Sequence, residues 1–396
     1  MRVHLVDPAA YTPPYDHALA GALARAGATV ELITCRFPHG PVPRQHETGD
    51  PSDIRRVAPE RSTLASTGPP RTYEVRERFY RRASRPGLRP GARRAARAAE
   101  HLPDMLSYRR EADRADVVHY QWLPIPALDR RLLVRRRPRV FTMHWRLPEA
   151  GTRIARTLTG LLAEMDAVVV HTEHGAGRLE RDFGVSADRL RVIPHGAFDY
   201  LTRQEDEVPL PEELRGVEGP VILAFGLVRH YKGTDVLLEA FQRLEGAELW
   251  VVGAPRMPME PLHKLAERAP GRVRFVERFI TDPEIPAFMR RADLVVLPYR
   301  NIEQSGVLYT ALAFGRPLVL SAVGGFPEIA ERGAARLFPS EDSGALRDVL
   351  AELLADREAR EALGAAAAEA ASTRYSWDGI ARSTVELYGE LVSRPR

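Results

Sequence analysis

Short apolar runs of strand length alternate with amphipathic segments along the first half of the chain. Apolar positions that recur at three- and four-residue spacing predict helices between these runs. The predicted strands are Val3–Val6, Thr29–Thr34, Val117–Tyr120, Arg139–His144, Ala167–His171 and Leu190–Ile193, and the predicted helices are Ala18–Arg25, Thr152–Glu164 and His174–Phe183. This alternation of strand and helix is typical of a parallel, doubly wound sheet.

The same alternation begins again after residue 217. The predicted strands are Val221–Phe225, Glu248–Val252, Val273–Val276, Asp293–Leu297 and Leu318–Leu320, with helices that include Pro283–Arg291 and Gly306–Phe314. The pattern predicts two Rossmann-like, doubly wound α/β domains that face each other across a cleft. Their bounds are 1–198 for an acceptor domain, 199–217 for a linker, 218–374 for a nucleotide-sugar donor domain, and 375–396 for a helix that crosses back to the first domain.

Residues from about 40 to 110 interrupt the alternation. The stretch 71–114 contains 13 arginines against six acidic residues, interleaved with aromatic and apolar side chains. One hypothesis is a surface that contacts an anionic membrane or a lipid-linked acceptor. The other is a solvated helical insertion in an arginine-rich protein, and the sequence leaves both open.

Composition narrows the class of protein. The only cysteine is Cys35, which excludes an internal disulfide framework and a cysteine-based zinc cluster. The chain starts without a signal-peptide pattern and has no apolar run of the roughly 20 residues that a membrane span needs, so we expect a cytoplasmic protein, peripheral to the membrane at most. A net charge of +4 is too small to indicate a nucleic-acid partner. Nothing in the sequence indicates an oligomeric state.

A basic loop after the predicted strand Val221–Phe225 is the first candidate for chemistry. It contains Gly226, Arg229 and Lys232, and it leads into a helix for which Thr234 is the predicted N-cap. Two cations at the carboxyl end of a parallel strand suit an anionic ligand, above all a diphosphate. Lys232 is one of only two lysines in the chain, which makes its place in this loop informative. A solvated basic turn is the alternative interpretation.

A second anion site is predicted at the start of the helix 306–314. Ser305 is the expected N-cap, and Gly306 would let a ligand approach the free amides of Gly306, Val307 and Leu308. Glu303 would lie where it can accept hydrogen bonds from sugar hydroxyls. We find no Asp-x-Asp pair for a divalent metal, and we interpret His171 in His171-Thr-Glu-His174 as a strand-end histidine rather than as a metal ligand.

Taken together, these motifs resemble the retaining glycosyltransferases of family 4, which have the GT-B architecture. The resemblance covers nearly the whole chain except about residues 40–110. The matching elements are Phe225–Gly233, Ala292–Pro298, Ser305–Gly306 with Ala313–Pro317, Gly324–Glu328, Thr142–His144 and Ile193–Gly196. The chain departs from the family pattern where Leu227 follows Gly226, and where the two glutamates of a Glu-x7-Glu pattern fall on Ile302 and Thr310.

The resemblance implies a role for each candidate residue. Arg229 and Lys232, with Gly226, would hold the donor diphosphate, and the amides of Gly306, Val307 and Leu308 its distal phosphate. His144 would lie against the transferred sugar. The predicted catalytic residues are His144, Arg229, Lys232 and Glu303. The predicted donor-binding residues are Gly226, Arg229, Lys232, Ser305, Gly306, Val307, Leu308 and Thr310. Acceptor choice is predicted for Tyr15, Asp16 and His17.

The implied reaction is transfer of a sugar from a UDP- or GDP-hexose to a hydroxyl acceptor. It would proceed with retention, without metal or cofactor, in the synthesis of a cell-envelope glycan, a glycolipid or a natural product. Two alternatives stay open: a nucleotide-sugar epimerase of the same architecture, and a non-catalytic sugar-nucleotide-binding protein. A dinucleotide-dependent oxidoreductase is excluded, because Asp7-Pro-Ala-Ala-Tyr11 lacks the glycines of Gly-x-Gly-x-x-Gly.

Overall fold

The computed structural model describes residues 1–36, 56–57, 73–85 and 87–394. These residues form two compact units, one made of 1–196 with 377–396 and the other of 197–376. Within the described ranges, no helix combines the length and the apolar character that a membrane crossing requires.

The first unit is built on an eight-stranded sheet. Its strands follow the order β3-β4-β2-β1-β5-β6-β7-β8, and all neighbours are parallel except the two-residue strand β3 against β4. The strands are β1 (Arg2–Asp7), β2 (Thr29–Cys35), β3 (Arg56–Val57), β4 (Tyr73–Phe79), β5 (Val117–Tyr120), β6 (Arg139–Thr142), β7 (Ala167–Val170) and β8 (Leu190–Val192). The helices are α1 (Pro13–Arg25), α2 (Pro90–Glu111), α3 (Pro126–Leu132), α4 (Arg153–Leu162) and α5 (Glu173–Phe183).

Local sequence explains where the helices of this unit start and stop. The Thr152 hydroxyl accepts the Ala155 amide at the start of α4, and the Thr172 hydroxyl accepts the Gly175 amide at the start of α5. Gly184 ends α5 in the left-handed conformation, which glycine adopts without steric cost.

The second unit carries six parallel strands in the order β11-β10-β9-β12-β13-β14. The strands are β9 (Val221–Phe225), β10 (Glu248–Val252), β11 (Val273–Val276), β12 (Leu294–Leu297), β13 (Leu318–Ser321) and β14 (Ala335–Phe338). The helices are α6 (Thr234–Phe241), α7 (Glu260–Ala266), α8 (Ile285–Arg291), α9 (Gly306–Ala313), α10 (Phe326–Ala330), α11 (Ser343–Ala355) and α12 (Arg357–Ser372). The strand order reverses between β9 and β12, and ligands of open α/β sheets bind at such a point.

The last helix, α13 (Trp377–Ser393), belongs to the first unit and packs against α1. The Arg25 guanidinium donates to the Asp378 carboxylate at 2.8 Å, and the Tyr388 hydroxyl hydrogen-bonds Nδ1 of His119 at 2.6 Å. The predicted fold class of two doubly wound α/β domains is confirmed.

The predicted insertion is wrong in part. Residues 73–79 form β4, which pairs in parallel with β2 and extends the sheet, and α2 follows in the same region. The strand was not predicted because four of its seven residues are charged, so it lacks an apolar run. The rest of the predicted insertion, at 40–55, 58–72 and 86, lies outside the described residues.

The structure also corrects the predicted linker and the predicted start of the first helix. Residues 199–217 are part of the second unit, because Leu201 and Leu214 are buried in its core. The helix α1 begins at Pro13, five residues before the predicted start at Ala18. Its two initial prolines occupy a helical turn whose amides have no partner in the helix, so they do not weaken it.

Candidate active site

The two predicted anion sites meet at the carboxyl end of the second sheet. Gly226 follows β9 with a φ of +92°, and its amide donates to the Val252 carbonyl at 2.9 Å. A Cβ built on Gly226 would lie 2.9 Å from Lys232 Nζ and 3.0 Å from Val307 Cγ2. The basic loop and the start of α9 therefore border the same space beside Gly226.

Lys232 is a partly desolvated cation in this space. Its Nζ donates a long hydrogen bond of 3.4 Å to the Phe225 carbonyl and lies 5.3 Å from the centre of the Tyr299 ring. Burial above all, together with the nearby Arg229 charge, lowers the pKa of Lys232 to about 8. The Arg229 guanidinium is exposed and has no carboxylate partner among the described residues. Both cations are thus available to an anion.

Gly233 fixes the end of the basic loop. It has a φ of +64°, and a Cβ at this position would overlap the carbonyl oxygen of Pro298 in the loop after β12. Gly233 also takes the N-cap position of α6, so the prediction of Thr234 as N-cap is wrong. Thr234 is the first residue of the helix because only a glycine enters this left-handed conformation at low cost.

Arg300 holds the basic loop and the loop after β12 together, and it was not predicted from the sequence. Its guanidinium donates to both carboxylate oxygens of Asp235 at 2.9 and 2.7 Å, to Glu341 at 2.9 Å and to the His230 carbonyl at 2.7 Å. The hydrogen bonds to Asp235, followed by those to Glu341, raise the pKa of Arg300. The side chain is thus a structural cation whose partners are already satisfied, unlike Arg229. An arginine just past the carboxyl end of β12 was the signal in the sequence.

The start of α9 differs in two details from the prediction. Ser305 occupies the N-cap position, but its hydroxyl hydrogen-bonds the Tyr299 hydroxyl at 3.2 Å instead of capping the helix. The Leu308 amide donates to the Ser305 carbonyl at 3.0 Å and is not free. The amides of Gly306 and Val307 donate to no acceptor within the described part of the chain. Two free amides remain, with the positive end of the helix dipole behind them.

The contacts of Thr310 and Glu303 do not test their predicted roles in donor binding and catalysis, so those roles stay predictions. The Thr310 hydroxyl donates to the Gly306 carbonyl at 3.0 Å and is buried within α9. Glu303 is half-buried in the loop before the helix. That loop packs against Gly324, where any side chain would overlap the Ile302 carbonyl.

In the first unit, four histidines follow one another along adjacent strands. His119 lies in β5, His144 two residues after β6, His171 directly after β7 and His195 three residues after β8. The predicted strands at Arg139–His144 and Ala167–His171 therefore end earlier, at Thr142 and Val170. The ring of Tyr15 lies 4.7 to 5.5 Å from the rings of His144, His171 and His195. We call these four histidines the histidine cluster; His119 was not predicted.

Hydrogen bonds orient the imidazoles of the cluster. Nε2 of His144 donates to Gln121 Oε1 at 2.9 Å, and its ring stacks on Trp122 at an interplanar angle of 14°. His171 uses Nδ1 to donate to the Ile193 carbonyl at 2.9 Å. Its Nε2 is buried and has no partner among the described residues.

The cluster is neutral near pH 7. Burial, followed by neighbouring histidines, lowers the pKa of His119 to about 3 and holds that of His144 and His195 well below 6.5; burial alone lowers the pKa of His171 to about 4. The imidazoles therefore act as hydrogen-bonding groups and not as cations. Within the described residues, no group of three or more His, Cys, Asp and Glu side chains is placed to hold a metal ion.

The depressed pKa values predict a loss of stability in acid. Below pH 6.5 the unfolded chain binds protons that the buried histidines of the folded chain do not, so the free energy of unfolding falls as pH falls toward 4. For His171 alone the loss reaches roughly 3 kcal/mol at about pH 4. Urea denaturation across this range should show a shallower pH dependence for His171→Gln. The exposed His174→Gln is the control and should follow the wild type; equal slopes for all three proteins would contradict the prediction.

The three residues predicted for acceptor choice lie on α1 in different surroundings. Tyr15 contacts the histidine cluster. Asp16 is buried, and burial with the adjacent Asp7 carboxylate raises its pKa well above the ordinary value. His17 hydrogen-bonds the Tyr73 hydroxyl of β4 at 2.6 Å. Only Tyr15 thus shares a site with His144, and the acceptor role of all three stays a prediction.

Family models match both units of the chain. The model described as Glycosyltransferase Family 4 matches residues 15–197, and the model described as Glycosyl transferases group 1 matches residues 219–356. The chain belongs to glycosyltransferase family 4. The resemblance inferred from the motifs is therefore confirmed, including its extension across both domains.

Two curated relatives of this family 4 chain share its sequence in part. A D-inositol 3-phosphate glycosyltransferase of Xylanimonas cellulosilytica is 33% identical over 252 residues, which cover 59% of this chain and 59% of the relative. A GDP-mannose-dependent alpha-(1-6)-phosphatidylinositol monomannoside mannosyltransferase of Mycobacterium tuberculosis is 29% identical over 246 residues, 58% of this chain and 63% of the relative. The matched part spans less than two thirds of either relative.

Solved structures share the fold over nearly the full length. The Anabaena protein HepE in complex with UDP-glucose superposes with a TM-score of 0.68 at 17% identity, covering 99% of this chain and 100% of that one. At this identity the likeness shows the fold, which is that of the GT-B glycosyltransferases.

Proposed function

We propose that the protein is a glycosyltransferase that moves a sugar from a nucleotide-diphosphate sugar to a hydroxyl acceptor. One observation carries the proposal: Lys232 Nζ and the start of α9 converge on Gly226 where the strand order of the second sheet reverses. A diphosphate in that space would meet Lys232, Arg229 and the amides of Gly306 and Val307. Ligands of open α/β sheets bind at this position.

These groups also suit the chemistry of transfer. When the bond between sugar and diphosphate breaks, negative charge develops on the departing nucleotide, and fixed cations and amides stabilise that charge. Lys232 and Arg229 would supply the positive charge that a divalent cation supplies in other enzymes. We therefore propose a metal-independent reaction that needs no cofactor, and activity should persist in the presence of EDTA.

His144 is proposed to act on the transferred sugar. Its Nε2 donates a hydrogen bond to Gln121, its ring stacks on Trp122, and burial holds its pKa low, so the ring is uncharged. Retention of configuration at the transferred carbon belongs to the same proposal. Its support is the family to which the chain belongs.

For the donor we propose a UDP- or GDP-hexose. One relative is named for its dependence on GDP-mannose, and HepE was solved with UDP-glucose. The names of the Xylanimonas and Mycobacterium relatives both contain inositol. These names favour a phosphorylated polyol or a glycolipid as the acceptor here. A role in making a cell-envelope glycan, a glycolipid or a natural product follows from that acceptor class.

The function is tested by measuring nucleotide diphosphate release from UDP-glucose and GDP-mannose with and without inositol phosphate or phosphatidylinositol. Release that depends on the acceptor, with a product of retained anomeric configuration, supports the proposal. Interconversion of the sugar while it stays on the nucleotide would identify an epimerase instead. Donor binding without turnover under all conditions would identify a non-catalytic binding protein.

We also propose that the protein contacts anionic membrane, and that helix α2 makes the contact. Residues 73–79 are paired in the sheet, and Arg76 donates to Glu111 at 2.6 Å, so this part of the arginine-rich stretch is already satisfied. Helix α2 remains: Leu102 and Leu106 are both more than 40% exposed, and the exposed Arg110 continues their face at four-residue spacing. Exposed leucines beside an arginine suit a membrane surface.

We expect wild-type protein to bind vesicles that contain phosphatidylglycerol, with binding that weakens steeply between about 50 mM and about 500 mM NaCl. The double variant Leu102→Ser/Leu106→Ser should bind several-fold more weakly in a sedimentation assay. Val208→Ser/Val392→Ser removes two comparably exposed apolar residues elsewhere and is the matched control. Binding that is absent, or insensitive to salt, would leave α2 as an ordinary solvated helix.

A further inference from the structure

A second concentration of positive charge lies in the first unit, away from the histidine cluster. Helices α3 and α4 and the start of β6 line an open cavity of about 920 Å³. Six of its ten lining residues are arginine, namely Arg130, Arg131, Arg135, Arg139, Arg153 and Arg156, and Glu164 is the only acidic one. A cavity of this size accommodates a small organic ligand with several charged groups.

Most of this charge is not neutralised by the protein. Glu164 lies 3.4 Å from Arg130 and 3.8 Å from Arg139, and Arg139 also contacts Asp166. Four of the six guanidiniums therefore lack a carboxylate partner among the described residues; they are those of Arg131, Arg135, Arg153 and Arg156. These four side chains are exposed, so an anion can reach them from solvent, and an anion bound between them would relieve their mutual repulsion.

The backbone makes room for these side chains. Arg130 lies across Gly160 of α4, where even a Cβ would come within 2.7 Å of its guanidinium. The first turn of α4 places Arg153 and Arg156 on the same side at three-residue spacing. Helices α3 and α4 thus present arginines to the same cavity.

The cavity is separate from the histidine cluster. Arg139 is the first residue of β6, whereas His144 follows the carboxyl end of the same strand. The strand from Arg139 to Thr142 alone spans roughly 10 Å. A ligand bound at the arginines of β6 and the preceding loop therefore does not occupy the space around His144.

We propose that this arginine cavity binds a ligand with clustered phosphate groups. Guanidinium groups form paired, charge-assisted hydrogen bonds to phosphate oxygens, and several of them around one cavity favour a ligand that bears more than one phosphate. The ligand chemistry is shared by free polyphosphates and by phosphorylated lipid headgroups. Because α3 and α4 follow the loops that contain Trp122 and His144, an anion bound between these helices also stabilises the elements that position those loops.

The test uses pyrophosphate and full-length protein in which Arg229→Ala/Lys232→Ala removes the proposed diphosphate loop. In this background, pyrophosphate should still bind in calorimetry and raise the melting temperature. Adding Arg131→Gln, Arg153→Gln and Arg156→Gln should weaken binding roughly tenfold or more. The control adds Arg243→Gln, Arg268→Gln and Arg382→Gln, which removes three exposed arginines elsewhere and should leave the affinity unchanged.

A parallel measurement with phosphatidylinositol-phosphate vesicles separates the two sources of phosphate. Pyrophosphate binding that depends on the cavity arginines supports a soluble ligand. Vesicle binding that depends on them, without pyrophosphate binding, supports a headgroup. If neither ligand binds, or if the control substitutions weaken binding as much as the cavity substitutions, the proposal is overturned.

Discussion

Alanine in place of Lys232 is expected to lower turnover by about a hundred- to a thousandfold, and alanine in place of Arg229 should approach the same loss. Each substitution removes one charge-assisted donor from the departing diphosphate, and losing one such donor typically costs about 2.7–4 kcal/mol of transition-state stabilisation. The charge on the leaving group grows as the bond breaks. The substitutions should therefore reduce kcat more than they raise the KM for the donor.

The environment of Lys232 explains why the expected loss of turnover is large. A cation whose pKa has already fallen to about 8 through burial is poorly solvated, so its interaction with an incoming anion is stronger than that of a surface lysine. Among the described residues, its amine donates a hydrogen bond only to the Phe225 carbonyl, and that bond is long. Removing the amine thus leaves the fold largely intact, and the melting temperature should stay near that of the wild type.

Two controls separate the role of the loop from the loss of a charge. Lys264→Ala removes the other lysine of the chain, which is exposed on α7 and paired with Glu260. Arg268→Ala removes an exposed arginine of the same unit. Both should retain wild-type kinetics. A loss of less than about tenfold in both Lys232→Ala and Arg229→Ala would mean that the loop is only a basic turn, and the proposed function would lose its main support.

The second large effect is expected for Gly233→Ala, which should destabilise the second unit by about 2–5 kcal/mol. The left-handed backbone costs a non-glycine residue about 1–2 kcal/mol, and the overlap of the new Cβ with the Pro298 carbonyl adds about 1–3 kcal/mol. Relief of that overlap requires the basic loop to move away from the loop after β12. Arg300 would then lose its hold on His230 and Asp235, and donor affinity should fall together with stability.

Gly246→Ala is the matched control for this substitution. Gly246 has a φ of +78°, but nothing lies within 4 Å of the position that its Cβ would take. It therefore carries the backbone strain without the overlap and should cost about 1–2 kcal/mol, with unchanged donor binding. Urea denaturation measures the loss of stability in each variant, and donor titration measures its donor affinity. Equal losses of stability in the two proteins would show that the contact with Pro298 does not hold the loop in place.

The sequence by itself determined the fold class, the family and several strands to the residue. The predicted bounds of β5, β9, β10 and β11 coincide with the structure. Strands buried on both faces are continuous apolar runs that stand out from the polar loops around them. The basic loop was equally visible, because a lysine is rare in this chain and the surrounding glycines mark a tight backbone.

Only the tertiary structure decided which elements complete the sheets and which groups at the sites are free. Strand β4 has charged residues at alternate positions, and its place became clear only from its pairing with β2 and from ion pairs such as Arg76 with Glu31. The hydrogen bond between Ser305 and Tyr299 depends on two side chains that the fold brings together. A local sequence pattern therefore does not predict it. The histidine cluster has the same origin. Its members are more than 20 residues apart along the chain, and parallel strands bring their carboxyl ends to one edge, where burial rather than sequence sets their charge.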